Sequence, residues 1–267
     1  MKPIRPSRQR GFTLIETVIA IGVLAVLLTG FIVVFTPAAE GIRKSLNVQQ
    51  ADRLVSALEQ ELVTLREGQG SATIKTGFDK SFDWIKSSNT ATNALFVYQY
   101  RGGILKKDNI TPIPLRADGT LKPSGFRDDG TLEPSEALKE LQPGKHYVVV
   151  PMMRRKSDPL FEKDLAAVEG AVYLVKPTQL VFSASQLVLG TAGSIKNPKP
   201  NSTPPDPNYK SGPFDKASDY PEAVIAFSAE FFMLPANTAS YFGGAAFATK
   251  FSSAKNPFFT RNLAVLR

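Results

Sequence analysis

No cysteine occurs in the 267 residues, and histidine and tryptophan each occur once, as His146 and Trp84. The missing cysteines exclude a disulfide framework, thiol chemistry and cysteine-ligated metal centres. A lone histidine in a strand-like segment has no visible partners for a metal site or a nucleophilic triad. No Gly-x-Ser-x-Gly elbow, phosphate loop or dinucleotide fingerprint is present. With no catalytic constellation in view, the expectation is a protein that is not an enzyme. Charge is also absent from one long stretch, the 23 residues from Thr17 to Ala39. As a helix this run would span roughly 35 Å, enough to cross a hydrocarbon core of ~30 Å. Composition is otherwise that of a globular chain, 43% apolar and 21% charged, so a real core is expected beyond the run.

What surrounds the uncharged run is informative. A basic leader ends in Gly11, Phe12 opens the hydrophobic segment, and Glu16 is its one charge. The net charge of +8 invites a nucleic-acid or membrane-surface partner. Four of those charges, Lys2, Arg5, Arg8 and Arg10, lie in the leader, where they suit retention on the cytoplasmic side. Without them the chain is near +4 (28 basic, 24 acidic), and nucleic acid is not an expected partner.

The run could be a secretory signal cut around Thr36-Pro37-Ala38, or a plain membrane anchor. Neither explains Glu16, because a carboxylate within a spanning helix is costly and usually marks a function and a partner. The contiguous residues Arg10-Gly11-Phe12-Thr13-Leu14-Ile15-Glu16 resemble the leader and cleavage site of type IV prepilins and type II secretion pseudopilins. The resemblance implies cutting after Gly11 by prepilin peptidase and methylation of the new amino terminus at Phe12. It also implies an assembly role for Glu16, neutralising the amino terminus of a neighbouring subunit. Each charge alone would be severely penalised in an apolar bundle, and pairing offsets much of that cost. Thr17, Val18, Ile19, Leu24, Leu27, Leu28, Phe31 and Phe35 would then lie in the membrane. The partners implied are the peptidase, other pilin or pseudopilin subunits, an inner-membrane assembly platform and the cytoplasmic membrane.

The fold class expected is α+β and pilin-like: a long amino-terminal helix, part transmembrane and part amphipathic, packed on an antiparallel β-sheet head of roughly four to seven strands. The expected divisions are a leader at 1–11, a membrane and assembly helix at 12–39, its amphipathic continuation at 40–67, and a head at 68–267. Val48, Ala51, Val55, Leu58, Leu62 and Leu65, with Leu54, form the apolar stripe of that continuation. Pro37 and Gly41 could loosen or kink the helix between its halves. The lack of cysteine departs from many type IV pilins, in which a disulfide closes the carboxy-terminal loop.

Along the head, a short helix is expected over Phe78–Lys86, with Trp84 in the core. Leu95–Tyr100 reads as a strand turning at Gly102-Gly103 into Ile104-Leu105. Residues 116–124 recur as 127–135, eleven positions on. Calcium on Asp118, Asp128 and Asp129 competes there with two plain Asp-Gly turns, and the turns are favoured because no EF-hand spacing is present. Ser135 would cap a helix over 136–141. His146–Met153 reads as a strand ending in a solvated basic knot, Arg154-Arg155-Lys156. A helix over 159–169 follows, then two strands, Ala171–Lys176 and Gln179–Leu189, broken at Pro177. Residues 190–222 hold seven prolines between Pro198 and Pro221, and read as a mobile insertion or an ordered recognition loop. Asp206, Asp215, Asp219 and Glu222 there are the candidates for a calcium ion of the kind a loop of some pseudopilins holds, although the pattern does not match closely. No other cofactor is expected. Ala223–Leu234 is the clearest late strand, and Leu263–Leu266 the last.

The function these residues suggest is a structural subunit of a type IV pilus-like filament or secretion pseudopilus, minor or tip-proximal. The alternative is a single-pass, membrane-anchored extracytoplasmic binding protein that does not polymerise. A third reading is a secreted enzyme freed near Ala38.

Overall fold

A computed structural model describes residues 13–103, 127–134 and 147–267; within its first helix the side chains of 36 and 38–51 are not described. The expected helix over 136–141, His146, the first copy of the repeat and the Ile104-Leu105 return lie outside the described residues. The chain divides into two compact units between Gln50 and Ala51.

Helix α1, Leu14–Val63, carries the apolar run, and Pro37 lies inside it without ending it. In the first unit Leu14–Phe35 is long and apolar enough to cross a membrane, with mean hydropathy 3.0 and none of the span buried. Val18, Ile19, Leu24, Leu27, Leu28, Phe31 and Phe35 are each more than half exposed. Water would not tolerate so continuous an apolar surface, which asks for lipid or for other helices around it.

The second unit is an α+β head. Helix α2 is Gly77–Ser87. Strand β1 is Leu95–Gly103, β2 Tyr147–Arg155, β3 Val168–Ser183, β4 Gln186–Leu189, β5 Val224–Met233 and β6 Phe259–Leu266. Helices α3, Pro159–Leu165, α4, Ala239–Gly243, and α5, Ala245–Ser253, complete it. The strands form a six-stranded sheet in the order β2-β1-β3-β5-β6, with β4 paired to β3, and every pairing is antiparallel. The architecture, an apolar amino-terminal helix followed by an antiparallel sheet and a few helices, is consistent with a pilin-like fold.

Alternation along the strands builds two cores. Leu95 and Val97 of β1, Tyr173 and Val175 of β3, and Ile225, Phe227, Ala229 and Phe231 of β5 point to one face. There they meet Leu54, Val55, Leu58 and Leu62 of α1 and Phe78, Phe82, Trp84 and Ile85 of α2. Phe96, Tyr98 and Tyr100, with Val172 and Leu174, point to the other face. That face is covered by Phe161 of α3, Phe242 of α4, and Phe247 and Phe251 of α5. Phe96 stacks on Phe161 at 4.6 Å between ring centroids and meets Phe242 edge-on at 4.9 Å. Each such ring stabilises the fold by about 1.5–3 kcal/mol through burial. The helix-on-sheet expectation covers only the first of these faces.

Helix α1 stops at Val63, short of the expected Glu67, because α2 supplies its cap. The Lys80 ammonium donates to the carbonyls of Glu61 and Thr64, and Ser81 Oγ donates to the carbonyl of Leu62 at 2.7 Å. These are carbonyls that a helix end leaves without partners. Burial lowers the Lys80 pKa, and the Glu61 carboxylate at 3.2 Å opposes that shift. Thr76 and Asp79 cap the start of α2 reciprocally, a capping box. The two helix ends come so close that a Cβ on Gly77 would collide with the Val63 carbonyl oxygen. Gly77→Ala is therefore expected to lose about 3 kcal/mol, read as a lowered denaturation midpoint of the full-length protein. A loss within 0.5 kcal/mol, approximately that of an ordinary surface change, would refute the contact.

Three expectations are corrected. Gly102-Gly103 is no hairpin turn: both residues lie in β1, paired with Val148 and Tyr147. Gly102 is small because a Cβ there would come within 2.9 Å of Leu132. Pro177 does not break a strand, since β3 runs through it in register with Ala229. The β1 ladder has already ended at Val175, so that side of β3 is an edge, where proline is tolerated. The expected strand 179–189 is instead a hairpin, turned by Ala184 and Ser185 at φ 48° and 65°.

Candidate functional site

Helix α1 begins with a capping box that the sequence reading missed. Thr13 donates to the Glu16 carboxylate through both its backbone N–H and its hydroxyl, each at 2.8 Å. The Glu16 N–H returns a bond to Thr13 Oγ1 at 3.3 Å. The signal was present, since Thr-x-x-Glu ahead of an apolar run marks a helix start. The carboxylate satisfies a donor at the helix amino end, where negative charge is also favoured by the backbone dipoles. It stands at the mouth of the exposed apolar span, and Gly11 and Phe12 lie just before the described residues.

The calcium candidates are not brought together. Asp215 is held by Lys86 at 2.6 Å, Glu222 by Lys199 at 3.0 Å, and Asp219 by the Ser218 hydroxyl. Asp206 accepts from the Asn208 N–H. Among the described residues no three histidine, cysteine, aspartate or glutamate side chains are placed to hold a metal. Residues 190–222 are anchored to the head by Ile195, Phe214 and Tyr220 in the core and by paired hydrogen bonds between Gln179 and Lys196. Asp118 lies outside the described residues, and Asp128 is exposed.

Asp129 belongs to a buried ion cluster instead. The basic knot is no solvated turn: Arg154 is 1% exposed and lies within β2, which ends at Arg155. Its guanidinium reaches Asp164 at 2.7 Å, Asp129 at 2.9 Å and Asp158 at 3.0 Å. Asp164, wholly buried, also accepts from Tyr98 Oη at 2.5 Å and from Arg127 at 2.6 Å. Burial pushes the Tyr98 phenol well up, and Asp164 adds to that; burial likewise raises Tyr100 to about 12. Arg155 pairs with Asp83 at 2.5 Å and lies over Trp84, while Lys156 lies over Phe247. Arg154 meets three carboxylates and Asp164 meets two guanidinium groups, while Arg127 Nη1 is buried without a hydrogen-bond partner among the described residues; the work of the cluster is to hold the head together.

The cluster therefore has a structural explanation; the amino-terminal segment does not, and comparison with known proteins decides what it is. Residues 6–32 match the prokaryotic N-terminal methylation motif. The chain carries the prepilin-type signal of type IV pilins and pseudopilins. The match spans Gly11, Phe12 and Glu16, and the apolar helix that follows fits a membrane-anchored precursor. The motif supports a type IV pilin-like precursor of the kind prepilin peptidase processes. No curated protein and no solved structure matches the chain.

Proposed function

We propose that this prepilin-type protein is a minor or tip-proximal structural subunit of a type IV pilus-like filament or secretion pseudopilus, and not an enzyme. The observation that carries the reading is the methylation motif at 6–32 overlapping the exposed apolar span Leu14–Phe35, whose one charge is Glu16. The precursor sits in the cytoplasmic membrane with its amino terminus inside and its head in the periplasm or on an extracellular filament. Peptidase cuts between Gly11 and Phe12 and methylates Phe12; an inner-membrane platform then draws the subunit into the filament. The minor or tip position is supported by the size of the head and by its Pro-rich loop, which add surface beyond what a minimal packing unit needs.

The deciding measurement is the mass and amino-terminal sequence of protein recovered from its native membrane. N-methylated Phe12 is expected. An intact leader in cells with active peptidase would favour a plain anchor bearing a binding head. A start near Ala39 would overturn the filament reading. Abundance in sheared filaments equal to that of the bulk subunit would overturn the minor position alone.

A further inference from the structure

Residues 127–134 dock beside the end of β1 through a small set of contacts. Arg127 reaches Asp164, and Asp129 and Thr131 both engage Arg154. Gly130 turns the chain at φ 77°. Leu132 lies against Gly102, and its carbonyl accepts from Tyr100 Oη at 2.9 Å. Pro134 bridges to Gly102, and the Glu133 carbonyl accepts from the Gly103 N–H at 2.7 Å.

The earlier copy of the repeat contains every one of these docking side chains. Arg116, Asp118, Gly119, Thr120, Leu121 and Pro123 stand eleven positions before their counterparts. The copies differ at two positions within this stretch, Ala117 for Asp128 and Lys122 for Glu133. Both Asp128 and Glu133 are exposed, and among the described residues the hydrogen bond at 133 is made by its backbone carbonyl. Identity thus follows the contacts and divergence follows the solvent side. The connections are also interchangeable. Docking the later copy leaves residues 104–126 before it and 135–146 after it. Docking the earlier copy would leave 104–115 and 124–146, the same two lengths in reverse order. Loop closure depends only weakly on length, so exchanging the two lengths changes its cost little.

We infer that the socket formed by Tyr100, Gly102, Arg154 and Asp164 accepts either copy of the repeat, exchanging residues 127–134 for residues 116–123 within one chain. The exchange keeps the sheet and the ion cluster intact, and it replaces the exposed pair Asp128 and Glu133 by Ala117 and Lys122. The surface beside β1 thereby switches from acidic to basic without a change in the head's core.

A double-mutant cycle on the full-length, detergent-solubilised protein tests this. Asp129→Ala with Leu132→Ala disables the later copy, and Asp118→Ala with Leu121→Ala disables the earlier one. Because each copy substitutes for the other, the combined variant should raise the unfolding constant at least about tenfold beyond the product of the two. A simple product would overturn the exchange. The absence of native cysteine permits a second measurement in a Leu132→Ala background. Gly102→Cys should form an intrachain disulfide with Leu121→Cys much faster than with Ala117→Cys, whose position faces solvent in the docked register. Equal rates would mean random collision, and cross-links only between chains would mean docking in a neighbour. Either result would overturn the proposal.

Discussion

Glu16→Ala is expected to leave the protein processed and in the membrane while reducing its presence in filaments by at least about tenfold. Two separate physical roles meet at this carboxylate. Within its own chain it closes the capping box with Thr13. Between subunits, in the proposed assembly, it neutralises the ammonium on a neighbour's Phe12 where water is excluded. Glu16→Gln separates them, because an amide still completes a capping box but carries no charge. If the charge pair drives assembly, the glutamine variant should fail nearly as badly as alanine. If only the helix start matters, glutamine should assemble normally and alanine alone should fail. The measurement is the ratio of sheared-filament to membrane-bound protein for each variant. Normal incorporation of both would sink the assembly role and favour a non-polymerising anchor.

Asp164→Asn should destabilise the head by about 3–5 kcal/mol, a large part of the 5–15 kcal/mol typical of a folded domain. The wild-type carboxylate is fully buried and faces Arg154, Arg127 and the Tyr98 hydroxyl. An amide there leaves two guanidinium groups with a missing counter-charge in a site that water does not reach. Denaturant unfolding reads the loss directly, and a change below about 1 kcal/mol would show that the cluster is solvated. The same cluster sets part of the acid response. Burial disfavours the charged form of Asp129, but hydrogen bonds from Thr131 and the Arg154 charge outweigh it and hold the carboxyl below its usual value. A lowered folded pKa means that this contribution is complete above the unfolded value of ~3.9 and is lost as pH falls through the folded value. With Asp118→Ala present so that the earlier copy cannot substitute, Asp129→Ala should therefore lower stability at pH 6 and flatten its fall below pH ~4.

Local pattern was a reliable guide wherever one element makes its own signal. The stripe through Leu54, Leu58 and Leu62, the helix at Gly77–Ser87 and the strands at Leu95–Gly103 and Val224–Met233 follow from periods of 3.6 and 2. The start of α1 is also written in Thr13 and Glu16, although that capping box was not expected. Asp-Gly as a turn held at Asp129-Gly130, where glycine supplies the positive φ. The methylation motif is contiguous in sequence, so it required no tertiary structure at all.

Contacts between distant segments decided the rest. Arg154 reads as a surface charge until Asp129, Asp158 and Asp164 arrive around it from two other parts of the chain. Gly102 reads as a turn residue until Leu132 claims the space its Cβ would fill. The second layer over the sheet comes from Phe242, Phe247 and Phe251 in short helices whose lengths are too small to show a period. An amphipathic helix or an N-terminal signal is a property of consecutive residues, and a local free energy writes it into the sequence. Burial of a charge or a glycine is set by what the rest of the chain brings to it, and only the packed head contains that information.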